Sequence, residues 1–386
     1  MKKRKVCFVI TSFIHYSRNF LILEELKKRK DIDLHIIIGG SAILSKYTSK
    51  LADIKKLLKE DGYSNLYELH FNLEGNDTVV KAKTTGLGII EFTTVFNQIK
   101  PDVVVVRGDR FEVLSATIAA AYLSITIAHI EGGDVSGSID ESVRHAITKL
   151  SHIHFATNEP AKNRVLRLGE RNSHVFNFGS PEIEVVQKLS KTKHRFDIKK
   201  TGSGALFDLS KGYLIVMYHP DIMDVKHVHE NTKKILKAVH DLKIPTLWFW
   251  PNADAGAEDI SHELRIFKDE VKGHQIRFMR YMGPKDFIWL LNNSLCLIGN
   301  SSAGIKESSF LGLPVVNIGK RQFKRLSAEN VVTVDHDTKA IIKAIEKQVK
   351  KGRYESSSLY FAEGTSKKIA EVIATVPLYT QKSFVE

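Results

Sequence analysis

Cysteine is nearly absent from this chain: Cys7 and Cys296 are the only two in 386 residues, and they lie far apart in apolar, strand-like runs. That excludes a disulfide-stapled framework and a cysteine metal site. Long apolar runs are missing as well. Nothing approaches the roughly 20 consecutive apolar residues of a membrane-crossing helix. The basic-then-apolar start turns polar after Ile10, so it reads as a first strand rather than a secretory signal. The expectation is a soluble, cytoplasmic protein with no membrane partner.

Other absences narrow the chemistry. After the first strand stands Thr11-Ser12-Phe13-Ile14-His15-Tyr16, where a nicotinamide enzyme would carry Gly-x-Gly-x-x-Gly. There is no Gly-Lys-Ser/Thr phosphate loop and no Gly-x-Ser-x-Gly elbow. Sixteen histidines are present, yet His129 and His145, nearest the acidic motifs below, have no metal-ligand spacing. The net charge of +13 would suit an anionic partner. The basic residues are scattered along helical segments such as residues 54–59 and 338–351, without a basic run or interleaved aromatics. They read as a solvated surface, and nucleic acid is not an expected partner.

What is present is alternation. A 43% apolar composition over 386 residues is enough for two cores. Strand patterns at residues 5–10 and 34–38 flank helical spacing at 19–29, giving a βαβ unit. A helix at 85–99 stops before Pro101, and strands at 103–106, 125–130, 154–157 and 175–178 follow, with a helix at 159–168. Residues 191–212 break the pattern and read as a linker. Strand and helix then alternate again from Tyr213 to Val334, and 367–373 forms a last apolar-faced helix. The fold class is therefore α/β, with two Rossmann-like, doubly wound domains over 1–190 and 205–364. Two such domains are expected to leave a cleft of the kind that binds small molecules.

Within the first half, the run at 103–106 ends in Arg107-Gly108-Asp109-Arg110, and the run at 125–130 ends in Glu131-Gly132-Gly133-Asp134. Two consecutive strands thus present a carboxylate at the edge where open α/β sheets bind ligands. The loop beyond leads through Asp140 and Glu141 into another helix. Such acids serve equally as salt-bridge partners, and Arg107, Arg110 and Arg144 are at hand. In the second half, Asn300-Ser301-Ser302-Ala303-Gly304 follows a strand and opens a helix containing Glu307. Small residues and hydroxyls there suit a diphosphate, and Glu307 suits ribose hydroxyls; the same residues also serve as plain helix caps. His219, Asn252 and Asp254 stand at further strand ends, as phosphate or proton groups or as turn residues.

With these motifs assembled, the chain resembles the UDP-N-acetylglucosamine 2-epimerases, and most closely their hydrolysing branch that supplies sialic-acid-type sugars. The resemblance covers residues 103–179, 214–219, 250–256 and 281–322. GDRFE, HIEGGD, DESVRHAITKLS, NADAG, IGNSSAGIKE and NIGKRQ occur in family order. It implies the GT-B architecture, with the segment from about 365–386 returning to the first domain. By position, Asp109, Glu131 and Asp140 fall on the family's catalytic acids, with Glu141 a rival for the third role, and His219 on the histidine near the diphosphate. Asn252, Asn300, Ser301, Ser302 and Glu307 fall on nucleotide-binding positions, and Arg321 on one that meets sugar or phosphate. The first loop, Phe13-Ile14-His15-Tyr16-Ser17-Arg18, departs from the family's early arginine, and Arg18 stands in for it from a later position.

The reaction implied is loss of the C2 proton with breakage of the C1–O bond to UDP, then addition of water at C1 and return of a proton to the opposite face of C2. The products are N-acetylmannosamine and UDP, and no metal or redox cofactor is required. The atypical first stretch leaves open a modified UDP- or GDP-sugar, such as the diacetamido sugar of legionaminic-acid synthesis. The resemblance also implies a homodimer or homotetramer. A non-hydrolysing epimerase, a GT-B glycosyltransferase and a silent nucleotide-sugar binder are the competing readings.

Overall fold

The computed structural model describes residues 3–44, 53–75, 77–252, 256–280 and 282–385. Among them, β1 (Arg4–Ile10), β2 (Ile32–Ile38), β3 (Leu66–Glu68), β4 (Val103–Arg107), β5 (Thr126–Ile130), β6 (Ile153–Ala156) and β7 (Val175–Asn177) form a parallel sheet in the order β3-β2-β1-β4-β5-β6-β7. The helices are α1 (Phe13–Lys28), α2 (Ile54–Glu60), α3 (Thr78–Ile99), α4 (Phe111–Tyr122), α5 (Ile139–Leu150), α6 (Glu159–Arg167) and α7 (Pro181–Ser190). A second sheet takes β8 (Ser203–Gly204), β9 (Leu214–Met217), β10 (Thr246–Phe249), β11 (Ile276–Met279), β12 (Cys296–Gly299), β13 (Val315–Ile318) and β14 (Val331–Val334) in the order β14-β13-β12-β9-β10-β11-β8. With it go α8 (Val228–Asp241), α9 (Ala257–Glu270), α10 (Pro284–Asn293), α11 (Glu307–Leu311) and α12 (Thr338–Lys351), and α13 (Thr365–Thr375) follows.

Contacts divide the chain into two compact units. The first holds residues 1–135, 139–185 and 360–386; the second holds 136–138 and 186–359. In the first, successive residues of β4 face opposite sides of the sheet, as the two-residue strand period requires. Val103 and Val105 pack with α1, α2 and α13, while Val104 and Val106 pack with α3 and α4. Both faces are covered, which is why the strand reads as an unbroken valine run. Strand order reverses between β1 and β4 in one unit and between β9 and β12 in the other. The carboxyl ends of those strands are the positions where such sheets take ligands.

Several elements differ from the sequence reading. The stretch 13–18 is not a loop: α1 begins at Phe13, because Ser12 accepts a bond from the His15 N–H at 3.3 Å and caps it. Helix α3 begins at Thr78 rather than 85, with Asp77 accepting from Val80 N at 2.8 Å. Gly86 and Gly88 weaken the helical signal; Gly88 is required by packing, since a Cβ there would lie 2.8 Å from Ser115 Oγ on α4. The stretch read as a linker supplies β8, which pairs antiparallel with β11 and is fastened by Arg277 to the carbonyls of Thr201, Gly202, Gly204 and Ala205. Among the described residues, no helix is long and apolar enough to cross a membrane.

Ile369, Ala370 and Ile373 of α13 enter the first unit's core beside α1. Beyond α13, Tyr379 lies edge-on to His152 and His174, with ring centroids at 5.1 and 4.9 Å. Lys382 reaches the buried Glu170 at 2.6 Å.

Candidate active site

The parallel register of β4 and β5 aligns Arg107 with Ile130. One step further, the Gly108 N–H donates to the Ile130 carbonyl at 3.0 Å and the Glu131 N–H to Phe155 at 2.9 Å. Asp109 and Glu131 therefore emerge side by side at the carboxyl edge. Glu131 does so with φ of +73°, a left-handed conformation that a non-glycine residue holds only when its surroundings impose it.

Two buried arginines frame this edge. Arg107, 1% exposed, donates from Nε to Glu131 Oε2 at 3.1 Å, from Nη1 to Asn19 Oδ1 at 3.1 Å, and from Nη2 to Glu182. Burial would lower the Arg107 pKa, but the Glu182 and Glu131 carboxylates outweigh it and hold the guanidinium charged. Arg144, equally buried, pairs with Asp109 and donates from Nη1 to the Asp134 carbonyl at 2.8 Å. Asp134 is itself buried and accepts from Asn158 at 3.0 Å. Burial would depress Arg144 too, and Asp109, Asp134 and Glu131 reverse the shift. Bidentate, delocalised guanidinium suits this better than a lysine ammonium.

Asp140 and Glu141 occupy the first turn of α5, half-buried, with Glu141 3.9 Å from His145 Nε2. Arg18 lies on α1, and its charge bears on both His15 and Arg107, so it belongs to the same edge. Beneath that edge, His129 on β5 is fully buried, with Nε2 2.9 Å from the Gly108 carbonyl and Nδ1 3.1 Å from Thr148 Oγ1. Burial pushes its pKa down to about 3, against the pull of the Gly108 carbonyl. Its folded pKa lies below the unfolded value, so the unfolded chain takes up the proton first and stability falls as pH drops below about 6.5. This residue alone is expected to cost about 2 kcal/mol between pH 6.5 and 5. Urea unfolding at both pH values should show His129→Gln losing that share of the slope.

In the second unit, Gly299 closes β12 with φ of +129°; a Cβ there would stand 2.2 Å from the Met217 carbonyl of neighbouring β9. That close approach brings Asn300 onto His219. Asn300 Oδ1 accepts from the His219 N–H and Nδ2 donates to the His219 carbonyl, both at 2.8 Å. Asn252 N donates to His219 Nδ1 at 3.2 Å, so Nδ1 is an acceptor and the neutral ring carries its proton on Nε2. Arg321 Nη1 and Gln322 Nε2 donate to the Asn300 carbonyl at 3.2 and 2.9 Å. Asn300, read in the sequence as a nucleotide contact, thus spends its amide on positioning His219. Asn300→Ala is expected to destabilise the second unit by about 1–3 kcal/mol in urea unfolding, because two backbone groups at His219 lose their partners.

The helix expected to open at residues 300–304 and contain Glu307 is divided. Ser301 accepts from Ala303 N at 3.3 Å and caps a single 3-10 turn, Ser302–Gly304, before the five-residue α11. So short a helix has little macrodipole. Glu307 opens α11 at 3% exposed, next to the fully buried Lys306. Asp254 and Tyr281 lie outside the described residues. Among the described residues, no three His, Cys, Asp or Glu side chains are grouped to hold a metal ion.

Each unit therefore gathers its own share of the expected residues: Asp109, Glu131, Asp140, Glu141 and Arg18 in the first, His219, Asn252, Asn300, Ser301, Ser302, Glu307 and Arg321 in the second. Sequence reasoning missed Asn19, Asp134 and Glu182 as the frame of the acids, and Gln322 beside Asn300. The polar Asn19 within an otherwise apolar helical face was the one available signal.

The UDP-N-acetylglucosamine 2-epimerase family model matches residues 24–374. A UDP-N,N'-diacetylbacillosamine 2-epimerase (hydrolyzing) of Legionella pneumophila is 32% identical over 98% of this chain and 97% of its own. A GDP/UDP-N,N'-diacetylbacillosamine 2-epimerase (hydrolyzing) of Campylobacter jejuni is 32% identical over 90% of this chain and 88% of its own. The crystal structure of UDP-GlcNAc 2-epimerase from Neisseria meningitidis bound to UDP-GlcNAc superposes with a TM-score of 0.74 at 20% identity, covering 96% of this chain and 99% of that one. The likeness extends the GT-B-like fold class to this chain. Matched along nearly its whole length by family model and relatives alike, the chain belongs to the UDP-N-acetylglucosamine 2-epimerase family.

Proposed function

We propose that this protein is a hydrolysing 2-epimerase. It converts UDP-N-acetylglucosamine, or a related UDP- or GDP-linked diacetamido sugar, to the free 2-epimer and nucleoside diphosphate. The observation that carries this reading is the pair of carboxylates, Asp109 and Glu131, on adjacent strand ends, each held by a buried arginine. The 32% identity to two relatives named as hydrolysing enzymes supports release of a free sugar.

The chemistry follows from the substrate. A C2 proton of such a sugar is not acidic, so the C1–O bond must break before or with its removal, leaving positive charge at C1. Fixed carboxylates oppose that charge without reorganising. Glu131, pinned in both backbone and side chain, takes this role. Asp109 and Asp140 exchange the C2 proton, one on each face, because inversion requires removal from one side and return to the other. Elimination yields a glycal and the nucleoside diphosphate. Water then adds its oxygen to C1 as a proton returns to C2. In the second unit, His219, Ser301, Ser302 and Arg321 receive the diphosphate and Glu307 the ribose hydroxyls, with Asn252 and Asn300 orienting His219. Arg18 meets the sugar or its phosphate. The same reading makes the enzyme a cytoplasmic homodimer or homotetramer feeding nonulosonic-acid synthesis.

Incubation with UDP-N-acetylglucosamine and with its diacetamido counterpart in heavy water tests the reaction. Expected products are UDP and a free 2-epimer carrying deuterium at C2. Free sugar retaining hydrogen at C2 would overturn the proposal, and a UDP-linked epimer would assign the non-hydrolysing reaction.

A further inference from the structure

His15 is a buried group that the reaction above leaves unused. It sits in the first turn of α1, 6% exposed, at the carboxyl end of β1 beside the switch to β4. Its Nδ1 receives the Thr11 backbone N–H at 3.4 Å and lies 3.2 Å from Thr11 Oγ1. A backbone N–H only donates, so Nδ1 is an acceptor and the neutral ring carries its proton on Nε2. Nε2 has no hydrogen-bond partner among the described residues, and it is not one of the polar atoms fully sealed from solvent. A Cβ built on Gly108, the residue before Asp109, would lie 3.8 Å from it. The ring is thus an oriented donor aimed at the edge that carries the acids.

Its position is tied to theirs. The His15 carbonyl accepts from Asn19 Nδ2 at 2.6 Å, Asn19 Oδ1 accepts from Arg107, and Arg107 holds Glu131. Burial pushes the imidazole well below its ordinary pKa, and Arg110 and Arg107 add to the effect. A neutral donor among cations suits an uncharged acceptor, whereas phosphate would be served by the arginines themselves.

The geometry points to His15 as a specificity residue whose Nε2–H donates to an uncharged oxygen, hydroxyl or amide carbonyl, on the sugar of the bound nucleotide sugar. This rests on the reaction proposed above. A site built around a hydrogen-bond donor discriminates strongly, because the donor is stranded when the acceptor is missing.

The test compares wild type, His15→Gln and His15→Phe with UDP-N-acetylglucosamine and its 2,4-diacetamido counterpart, following kcat and KM separately, with UDP affinity by calorimetry. The glutamine amide restores a donor near the Nε2 position; phenylalanine fills the space without one. His15→Phe is expected to lose about 10- to 100-fold in kcat/KM. His15→Gln should recover to within about fivefold on the substrate whose oxygen is read, with UDP affinity unchanged in both. Equal activity in all three proteins, equal losses in both variants on both substrates, or a parallel loss of UDP affinity would overturn the assignment while leaving the reaction intact. Inactivity of wild type on both sugars would instead overturn the reaction, and the assignment with it.

Discussion

Glu131→Gln is expected to lower kcat by at least roughly 10³-fold, the range spanned by loss of a charged group acting in the transition state, while UDP affinity stays within about threefold. Glutamine has the same shape and can occupy the same left-handed backbone, so φ of +73° at this position does not by itself oppose the change. Nor should stability suffer. Arg107 is shared by two carboxylates, Glu131 and Glu182, and removing one leaves a buried pair of balanced charge. A variant that melts at or above the wild-type temperature yet fails to turn over would separate catalysis from folding. Retention of more than a tenth of wild-type kcat would refute the role given to Glu131, as would loss of UDP binding.

The complementary change is expected to damage the fold. Arg107→Met removes the cation shared by Glu131 and Glu182, which are 7% and 1% exposed. Breaking a buried ion pair on one side costs about 3–5 kcal/mol. For a unit of this size the melting temperature should fall on the order of 10 °C. Arg107→Lys should recover little, because one ammonium cannot reach Glu131, Glu182 and Asn19 from a single point. The deficit should shrink as pH is lowered towards 5, since buried carboxyls that lose a cation have raised pKa values and become neutral there. Adding Glu182→Gln to Arg107→Met should restore part of the loss. A melting curve for Arg107→Met that matches wild type would show that the arginine does not organise this edge.

Much of the frame was legible because it rests on local pattern. The valine run of β4 and its abrupt end at Gly108-Asp109 required only strand periodicity and burial on both faces. The acids at two consecutive strand ends followed from parallel connection, which repeats the same edge. The start of α1 was misread because an N-cap is one hydrogen bond, Ser12 to His15, against the stronger expectation of a ligand loop after the first strand. The division of the helix after Gly304 was equally invisible, since small residues suit a 3-10 turn and an α-helical start alike.

The sequence by itself determined two Rossmann-like sheets and the placing of Asp109 and Glu131 at consecutive strand ends, because periodicity and chain connection are short-range. Only the tertiary structure decided which charges meet. Arg107 finds Glu182 seventy-five positions away, Arg144 reaches Asp109 across thirty-five, and Asn300 grips His219 across eighty-one. Such pairings depend on how strands and helices stack, and desolvation decides their strength. The strained backbone of Glu131 and the neutral, outward-facing Nε2 of His15 come from the same packing.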